Sequence, residues 1–370
     1  MTILLMVKTV SIRIFLIGLL AVAAGCATAV PLAPAPLGQD ELNKFLTTGR
    51  DARTYGITIY HDTVGDRFEF ANRVHPHRGA QMDFISPSSL PVPVIRARTG
   101  RFVDCQVLLD TTARQSWLLL AAAEAMDYRV FAPPIGEYPD HVLSELPGYA
   151  GVANKLVFDT LHMESPIFYV LPARGGFGPL ARSNEKPGRS PKTARARENL
   201  GRRTHVVFGA APLQVFSFVR FDFPERTVRF STDTTYQTED LGTVLARLPL
   251  KSWRGRPAVE GRLDGVPLLL VIDTAGEFDL SLPAETPVGT TLSLGDLVID
   301  DFRPSFHEEH GLPSAFPARL GLGLLARHIL VIDYKQRQVW FETPLRKSGA
   351  SAISTTDPST APVHYRGITP

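Results

Sequence analysis

The sequence contains 370 residues, of which 44% are apolar, and its formal net charge is +2. This length and apolar content are sufficient for one large or two modest domains with buried cores. The small net charge does not suggest a nucleic-acid-binding protein, and no nucleic-acid partner is expected.

Residues 1–25 predict a secretory signal peptide. Basic residues precede an apolar run from Ile14 to Ala24, and small residues stand directly before Cys26. The run is short for a membrane-spanning helix. The ending Ala23-Ala24-Gly25-Cys26 resembles a bacterial lipobox, with alanine at the position where leucine is usual. An ordinary cleaved signal or a membrane helix is the alternative.

The lipobox resemblance implies that Cys26 carries a lipid and anchors an exported protein in the bacterial cell envelope, at the outer membrane or facing the periplasm. Residues 26–50, rich in alanine and proline over Thr28–Gly38, then predict an extended tether. Cys105 is the only other cysteine, so it has no disulfide partner within the chain if Cys26 is lipidated, and it is expected to be a small buried residue. Residues 346–370 are predicted to be a disordered tail.

Two apolar runs end in the same pair of residues, Asp-Thr. Val107–Leu109 leads into Asp110, and Leu268–Ile272 leads into Asp273. Both runs are too short for helices and predict buried strands that end in a turn. Because an isolated carboxylate in such surroundings costs several kcal/mol, each acid must be hydrogen-bonded, protonated or paired. Two copies of one unit suggest two copies of one lobe.

Each aspartate is predicted to follow a β-hairpin. The first hairpin pairs Val92–Thr99 with Phe102–Leu109, and the second pairs Ala258–Leu263 with Val266–Ile272 around the favourable turn Asp264-Gly265. The two hairpins therefore correspond.

The segments that close the two units correspond as well. Phe221–Phe230 aligns without a gap with Ile332–Phe341, and each block follows a glycine-containing apolar segment. Duplication is the simplest explanation. It predicts a first lobe over residues 51–240 and a second over 241–345.

The first unit carries extra residues. Its basic segment 174–203, poor in apolar residues, is predicted to be a solvated, mobile loop, with contact to an anionic surface as the alternative. Glycines flank Tyr149 between Gly148 and Gly151, which predicts either the tip of a hairpin over a cleft or an ordinary turn.

These features, repeated twice, resemble the aspartic peptidase superfamily, specifically bacterial retropepsin-like lobes fused in tandem. The shared features are apolar-apolar-Asp-Thr, a downstream apolar-Gly segment and a closing strand, and they cover about Pro91 to Phe341. The resemblance implies an all-β fold of two duplicated lobes, with Asp110 and Asp273 brought together by a pseudo-twofold axis at the floor of a cleft. It implies no cofactor and no metal.

The activity implied by the resemblance is that of an endopeptidase acting on extended peptides or proteins. The two carboxylates share one proton, so one activates a water molecule while the other protonates the scissile carbonyl oxygen. Thr111 and Thr274 would hydrogen-bond across the axis. Gly148, Tyr149 and Gly151 would belong to a flap that excludes water.

Two residues depart from the family pattern. Thr112 and Ala275 stand where glycine, sometimes serine, is usual, and an added side chain there is expected to crowd the carboxylates. The alternative function is therefore a weak or inactive peptidase-like lipoprotein, expected as a monomer, that binds peptides or acts as a scaffold. A third interpretation, two turn-capping acids in an unrelated β protein, leaves the duplicated closing segments unexplained.

Overall fold

The computed structural model describes residues 79–99, 104–119, 148–171, 191–238 and 243–343, apart from single residues 154, 165 and 313. It also describes shorter segments within 35–43, 58–62, 65–69, 73–74, 122–135 and 173–174. The predicted signal peptide, the lipidation residue Cys26, most of the tether and the tail 346–370 lie outside the described residues.

The described part of the chain consists mainly of β-strands. The strands of the first half are β1 Ala35–Pro36, β2 Thr58–Asp62, β3 Gly65–Glu69, β4 Arg73–Val74, β5 Ala80–Asp83, β6 Val94–Thr99, β7 Asp104–Leu109, β8 Trp117–Leu119, β9 Arg129–Ile135, β10 Gly148–Val152, β11 Lys155–Phe158, β12 Leu161–Glu164, β13 Ile167–Leu171, β14 Ala173–Arg174, β15 Thr204–Phe208, β16 Phe218–Asp222 and β17 Thr227–Ser231. Those of the second half are β18 Thr243–Pro249, β19 Lys251–Trp253, β20 Arg256–Leu263, β21 Val266–Ile272, β22 Leu280–Leu282, β23 Leu292–Leu294, β24 Leu297–Ile299, β25 Pro304–Phe306, β26 Ala318–Leu320, β27 Ile329–Asp333 and β28 Gln338–Thr343. Helical segments are α1 Pro191–Arg203, α2 Ala210–Leu213, α3 Leu322–Leu325 and a 3-10 turn His307–His310.

Seven strands of each half have the same order in their sheets. The first half contains β12-β11-β6-β7-β15-β8-β13, and the second contains β24-β23-β20-β21-β26-β22-β25. In both, the strand before the aspartate pairs antiparallel with its hairpin partner and parallel with a later strand, β15 or β26. The first sheet is larger because β10 and β9 extend it at one edge and β4 at the other.

A third sheet of six strands joins the halves. Its order is β18-β28-β27-β16-β17-β5. At its centre the corresponding strands β16 and β27 pair antiparallel, with Val219 opposite Ile332. Each half therefore contributes three strands in mirrored order, which is the arrangement that a pseudo-twofold axis produces. The predicted all-β fold of two duplicated lobes is confirmed.

The turns that follow β16 and β27 explain why the two closing segments look alike. Asp222 and Asp333 each accept a hydrogen bond from the backbone N–H three residues later, at 2.9 Å and 2.6 Å. The arginines that coincide in the alignment, Arg226 and Arg337, both adopt a left-handed backbone conformation, with φ of 58° and 57°. The shared residues thus encode one turn geometry.

The strands of the two hairpins that lead to the aspartates pair as predicted, β6 with β7 and β20 with β21. The second turns through Asp264 and Gly265, whose φ values are 48° and 82°, and this pair of positive values suits a tight two-residue β-turn. Cys105 on β7 is buried, and burial raises the pKa of its thiol to about 12. The expectation of a small buried residue is met.

The prediction of a mobile loop over 174–203 is wrong for its second half. Pro191–Arg203 is helix α1, since the segment contains good helix formers and begins with proline, which suits the first turn. Glu198 and Arg202 form an ion pair one turn apart, and Leu200 is buried. The high basic content concealed this helical pattern. Within the described ranges, no helix has the length and apolar content needed to cross a membrane.

Candidate active site

Asp110 and Asp273 occupy equivalent positions in the two halves. Each directly follows a central strand, and each backbone N–H donates to a carbonyl on the neighbouring parallel strand: Asp110 to Phe208 at 3.0 Å, and Asp273 to Leu320 at 2.9 Å. Both residues are buried, with 6% and 3% of their surfaces exposed. The sequence pattern therefore places two acids at corresponding points of two sheets.

Thr111 and Thr274 connect these two points by reciprocal hydrogen bonds. The Thr111 N–H donates to Thr274 Oγ1 at 3.1 Å, and the Thr274 N–H donates to Thr111 Oγ1 at 3.2 Å. Each hydroxyl donates in turn to a carbonyl of the opposite half, Thr111 to Ile272 at 2.5 Å and Thr274 to Leu109 at 2.8 Å. Because both threonines are fully buried, this four-bond contact holds the two aspartate loops side by side.

The inner oxygen of each carboxylate is bound by backbone N–H groups of its own loop. Asp110 Oδ1 accepts from Thr112 at 2.8 Å and from Ala113 at 3.2 Å. Asp273 Oδ1 accepts from Ala275 at 3.1 Å and from Gly276 at 2.7 Å. These bonds orient both carboxylates in the same way.

The departures from glycine have unequal effects. The Thr112 hydroxyl donates to Asp110 Oδ1 at 2.7 Å, so this side chain binds the carboxylate as a third donor. Ala275 offers Asp273 only its backbone N–H. Thr112 therefore adds a side-chain donor to the Asp110 carboxylate, which its size alone did not suggest.

The two carboxylates interact electrostatically. Burial raises the pKa of Asp273 above its usual value, the positive charge of Arg319 opposes this shift, and the negative charge of Asp110 adds to it. A raised pKa makes Asp273 the carboxyl group that keeps a proton more readily than an exposed aspartate does.

Comparisons with known proteins do not assign this chain to a family. No protein-family model matches the sequence, and no curated protein matches it. Among solved structures, the basic 7S globulin from soybean is similar over 72% of this chain and 96% of its own, with 11% sequence identity and a TM-score of 0.41.

Arg319 is a site residue that the sequence patterns did not reveal. It lies on β26, its side chain is 4% exposed, and its Nη1 lies 3.4 Å from Asp273 Oδ2. The guanidinium also lies over the ring of Phe316, 4.1 Å from its centroid. Its Nε and Nη2 are buried and have no hydrogen-bond partner among the described residues. A charged residue inside an otherwise apolar strand before Gly321 was the available signal.

Arg256 is a second buried arginine at the site. It begins β20, is 1% exposed, and donates from Nε to the Thr112 carbonyl at 2.6 Å. Trp253 and Phe316, whose ring centroids are 4.4 Å apart, each lie 5.3 Å from its guanidinium. Arg256 thus extends from the second half to the aspartate loop of the first.

The predicted flap residues lie in a strand and not in a turn. Gly148, Tyr149 and Gly151 belong to β10, which pairs with β9 on one side and β13 on the other. Tyr149 is 4% exposed, and its carbonyl accepts a hydrogen bond from the Tyr128 hydroxyl at 2.6 Å. The flanking glycines suggested a turn. The strand was missed because its partners, β9 and β13, are distant in sequence and leave no local signal around Tyr149. The connection between β9 and β10, residues 136–147, lies outside the described residues.

Metal ligation has no candidate in the portion of the chain that the structure describes, where no group of three histidine, cysteine or acidic side chains is arranged to hold an ion.

Proposed function

We propose that the protein is an aspartic-type endopeptidase that hydrolyses peptide bonds in extended peptides or proteins. The observation that supports the proposal is the reciprocal Thr111–Thr274 contact, because it joins the loops of two equivalent, buried aspartates. A pair of turn-capping acids in an unrelated fold would not need this contact.

In the proposed reaction, Asp110 is the ionised member of the pair and Asp273 carries the shared proton. Asp110 takes a proton from a water molecule as the water oxygen attacks the scissile carbonyl carbon, and Asp273 donates its proton to the carbonyl oxygen. The tetrahedral intermediate then collapses: the C–N bond breaks, the amine leaves with the proton held by Asp110, and Asp273 takes back the proton of one hydroxyl group as the new C=O bond forms. The Thr112 hydroxyl bond to Asp110 and the raised pKa of Asp273 support these roles.

The proposed setting is the bacterial cell envelope. The signal-like residues 1–25 and the lipobox-like Cys26 support export and attachment through a lipid, with residues 26–50 as a tether. The substrate would then be a peptide or an unfolded protein in the same compartment, and the protein would act as a monomer.

A second candidate function is peptide binding without hydrolysis. The observation that favours it is the buried guanidinium of Arg319, since its positive charge lies 3.4 Å from Asp273 Oδ2 and stabilises a pair in which both carboxylates are ionised. A pair without its proton has no general acid to donate to the carbonyl oxygen. Such a protein would bind extended peptides and leave them intact.

The test is hydrolysis of an unfolded protein and of a peptide library by the purified full chain, from acidic to neutral pH. We expect cleavage that Asp110→Asn and Asp273→Asn each reduce by at least about a thousandfold, because each substitution removes a group that transfers a proton. The matched control is Asp222→Asn, which alters a buried carboxylate in a turn of the six-stranded sheet and should retain activity.

The outcomes separate the two functions. Cleavage that survives both substitutions at the pair would refute the catalytic assignment. Tight binding of peptides with no cleavage at any pH would establish the second candidate in its place.

A further inference from the structure

Arg319 breaks the symmetry between the two aspartates. On β26, Arg319 lies opposite Val271 in the parallel ladder, and on β15 the equivalent residue, opposite Leu108, is Val207. In both ladders the backbone N–H of the aspartate donates to a carbonyl of the parallel strand, at 3.0 Å for Asp110 and 2.9 Å for Asp273. A guanidinium therefore lies beside Asp273, whereas the corresponding position beside Asp110 holds an apolar side chain.

The environment of Arg319 strengthens the effect of its charge on Asp273. Its side chain and that of Asp273 are each 4% exposed, so little water screens the pair, and the face of the guanidinium is covered by Phe316. The charged and titratable groups that interact with it are Asp273, Asp110, Arg256 and His307. The two carboxylates attract it, and Arg256 repels it.

A two-carboxylate pair in a buried site normally lowers its repulsion by holding one proton. A buried guanidinium supplies the same positive charge without a proton. We propose that Arg319 is a positioning residue that substitutes in part for the shared proton, and so moves the pH range in which the pair is singly protonated towards acid. The inference rests on the proposed peptidase function, since the singly protonated pair is the reactive form.

The consequence concerns the pH range in which the enzyme is active. With Arg319 present, the pair takes up its proton at lower pH than burial and mutual repulsion alone would give. Arg319 opposes the rise in the pKa of Asp273 that burial produces, in agreement with this direction. Replacement of Arg319 by a neutral residue should raise both titration steps of the pair, because the opposing charge is lost.

The experiment is a pH titration of the full chain, labelled with carbon-13 at the aspartate carboxyl groups, with Asp110→Asn and Asp273→Asn used to assign the signals. The compared proteins are the natural sequence, Arg319→Met, Arg319→Gln and Arg319→Lys. We expect the two neutral variants to titrate about 1 to 3 pH units higher, whereas lysine, which keeps the charge, should remain within about one unit of arginine. The pH profile of peptide cleavage should move by the same amount.

The control is Arg220→Met, which removes a largely buried arginine that pairs with Asp222 at 3.1 Å in the six-stranded sheet. It should leave the titration of Asp110 and Asp273 unchanged. If methionine prevents folding, glutamine tests the same loss of charge while keeping a donor for Asp273. Neutral variants that fold and titrate like the natural protein would overturn the inference.

The titration also separates this inference from the proposed function. A shifted titration in a protein that cleaves nothing supports the role of Arg319 and refutes the peptidase function. Cleavage with an unshifted titration refutes the role of Arg319 and leaves the peptidase function in place.

Discussion

Replacement of Thr111 by valine tests the contact that holds the two aspartates together. Valine has nearly the same shape but lacks the hydroxyl, so the Ile272 carbonyl loses its donor at 2.5 Å and the Thr274 N–H loses its acceptor at 3.2 Å. Both groups remain buried in the lobe interface, and each unsatisfied group costs about 1 to 3 kcal/mol. The free energy of unfolding should therefore fall by about 2 to 6 kcal/mol.

The assay is urea unfolding of the purified protein, followed by tryptophan fluorescence, with the slope of the transition checked for constancy. Thr111→Ser is the matched control, because serine keeps the hydroxyl and loses one methyl group, at a cost of about 1 kcal/mol. If the valine variant is as stable as the serine variant to within about 0.5 kcal/mol, the reciprocal contact does not hold the lobes together.

Two further predictions concern the aspartate loops. The pKa of Asp273 is raised above 3.8 in the folded protein, so the folded state holds this proton at pH values where the unfolded chain has lost it. The natural chain should therefore lose stability relative to Asp273→Asn as the pH rises from below 3.8 through the folded-state pKa. Thermal unfolding of both proteins between about pH 3 and pH 8 measures this difference in stability, and a difference that stays constant with pH would contradict the prediction. Substitution of alanine for Gly209 or Gly321 should lower the free energy of unfolding by about 3 kcal/mol or more. The added Cβ would lie 2.2 Å from a backbone oxygen, that of Gln115 for Gly209 and that of Phe278 for Gly321. Gly38→Ala is the control in the same unfolding assay and should be neutral, because nothing lies within 4 Å of the added Cβ.

The fold was largely predictable because duplication gives two observations of each element. The hairpins before Asp110 and Asp273 and the closing strands could each be checked against a second copy. Features that occur once had no such check, and both helix α1 and the strand around Tyr149 were misinterpreted.

The sequence predicted only those site residues that belong to a local pattern of neighbouring residues. Asp110, Thr111, Asp273 and Thr274 carry a local pattern, so their positions follow from the strand and turn signals around them. Arg319 is separated from Asp273 by 46 positions and lies beside it only because β21 and β26 pair in parallel. Spacing in sequence does not reveal a contact that the register of a parallel ladder creates.

The central pairing of the six-stranded sheet reduces the importance of the covalent link between the halves. β16 and β27 are joined by backbone hydrogen bonds across their full lengths, and the flanking strands extend this seam on both sides. Non-covalent forces at the seam and at the threonines thus fix how the halves meet. The connection from β17 to β18 strengthens the same seam, because the backbone N–H of its buried Tyr236 donates to Asp333 at 3.0 Å and the Tyr236 hydroxyl donates to Glu342 at 2.8 Å.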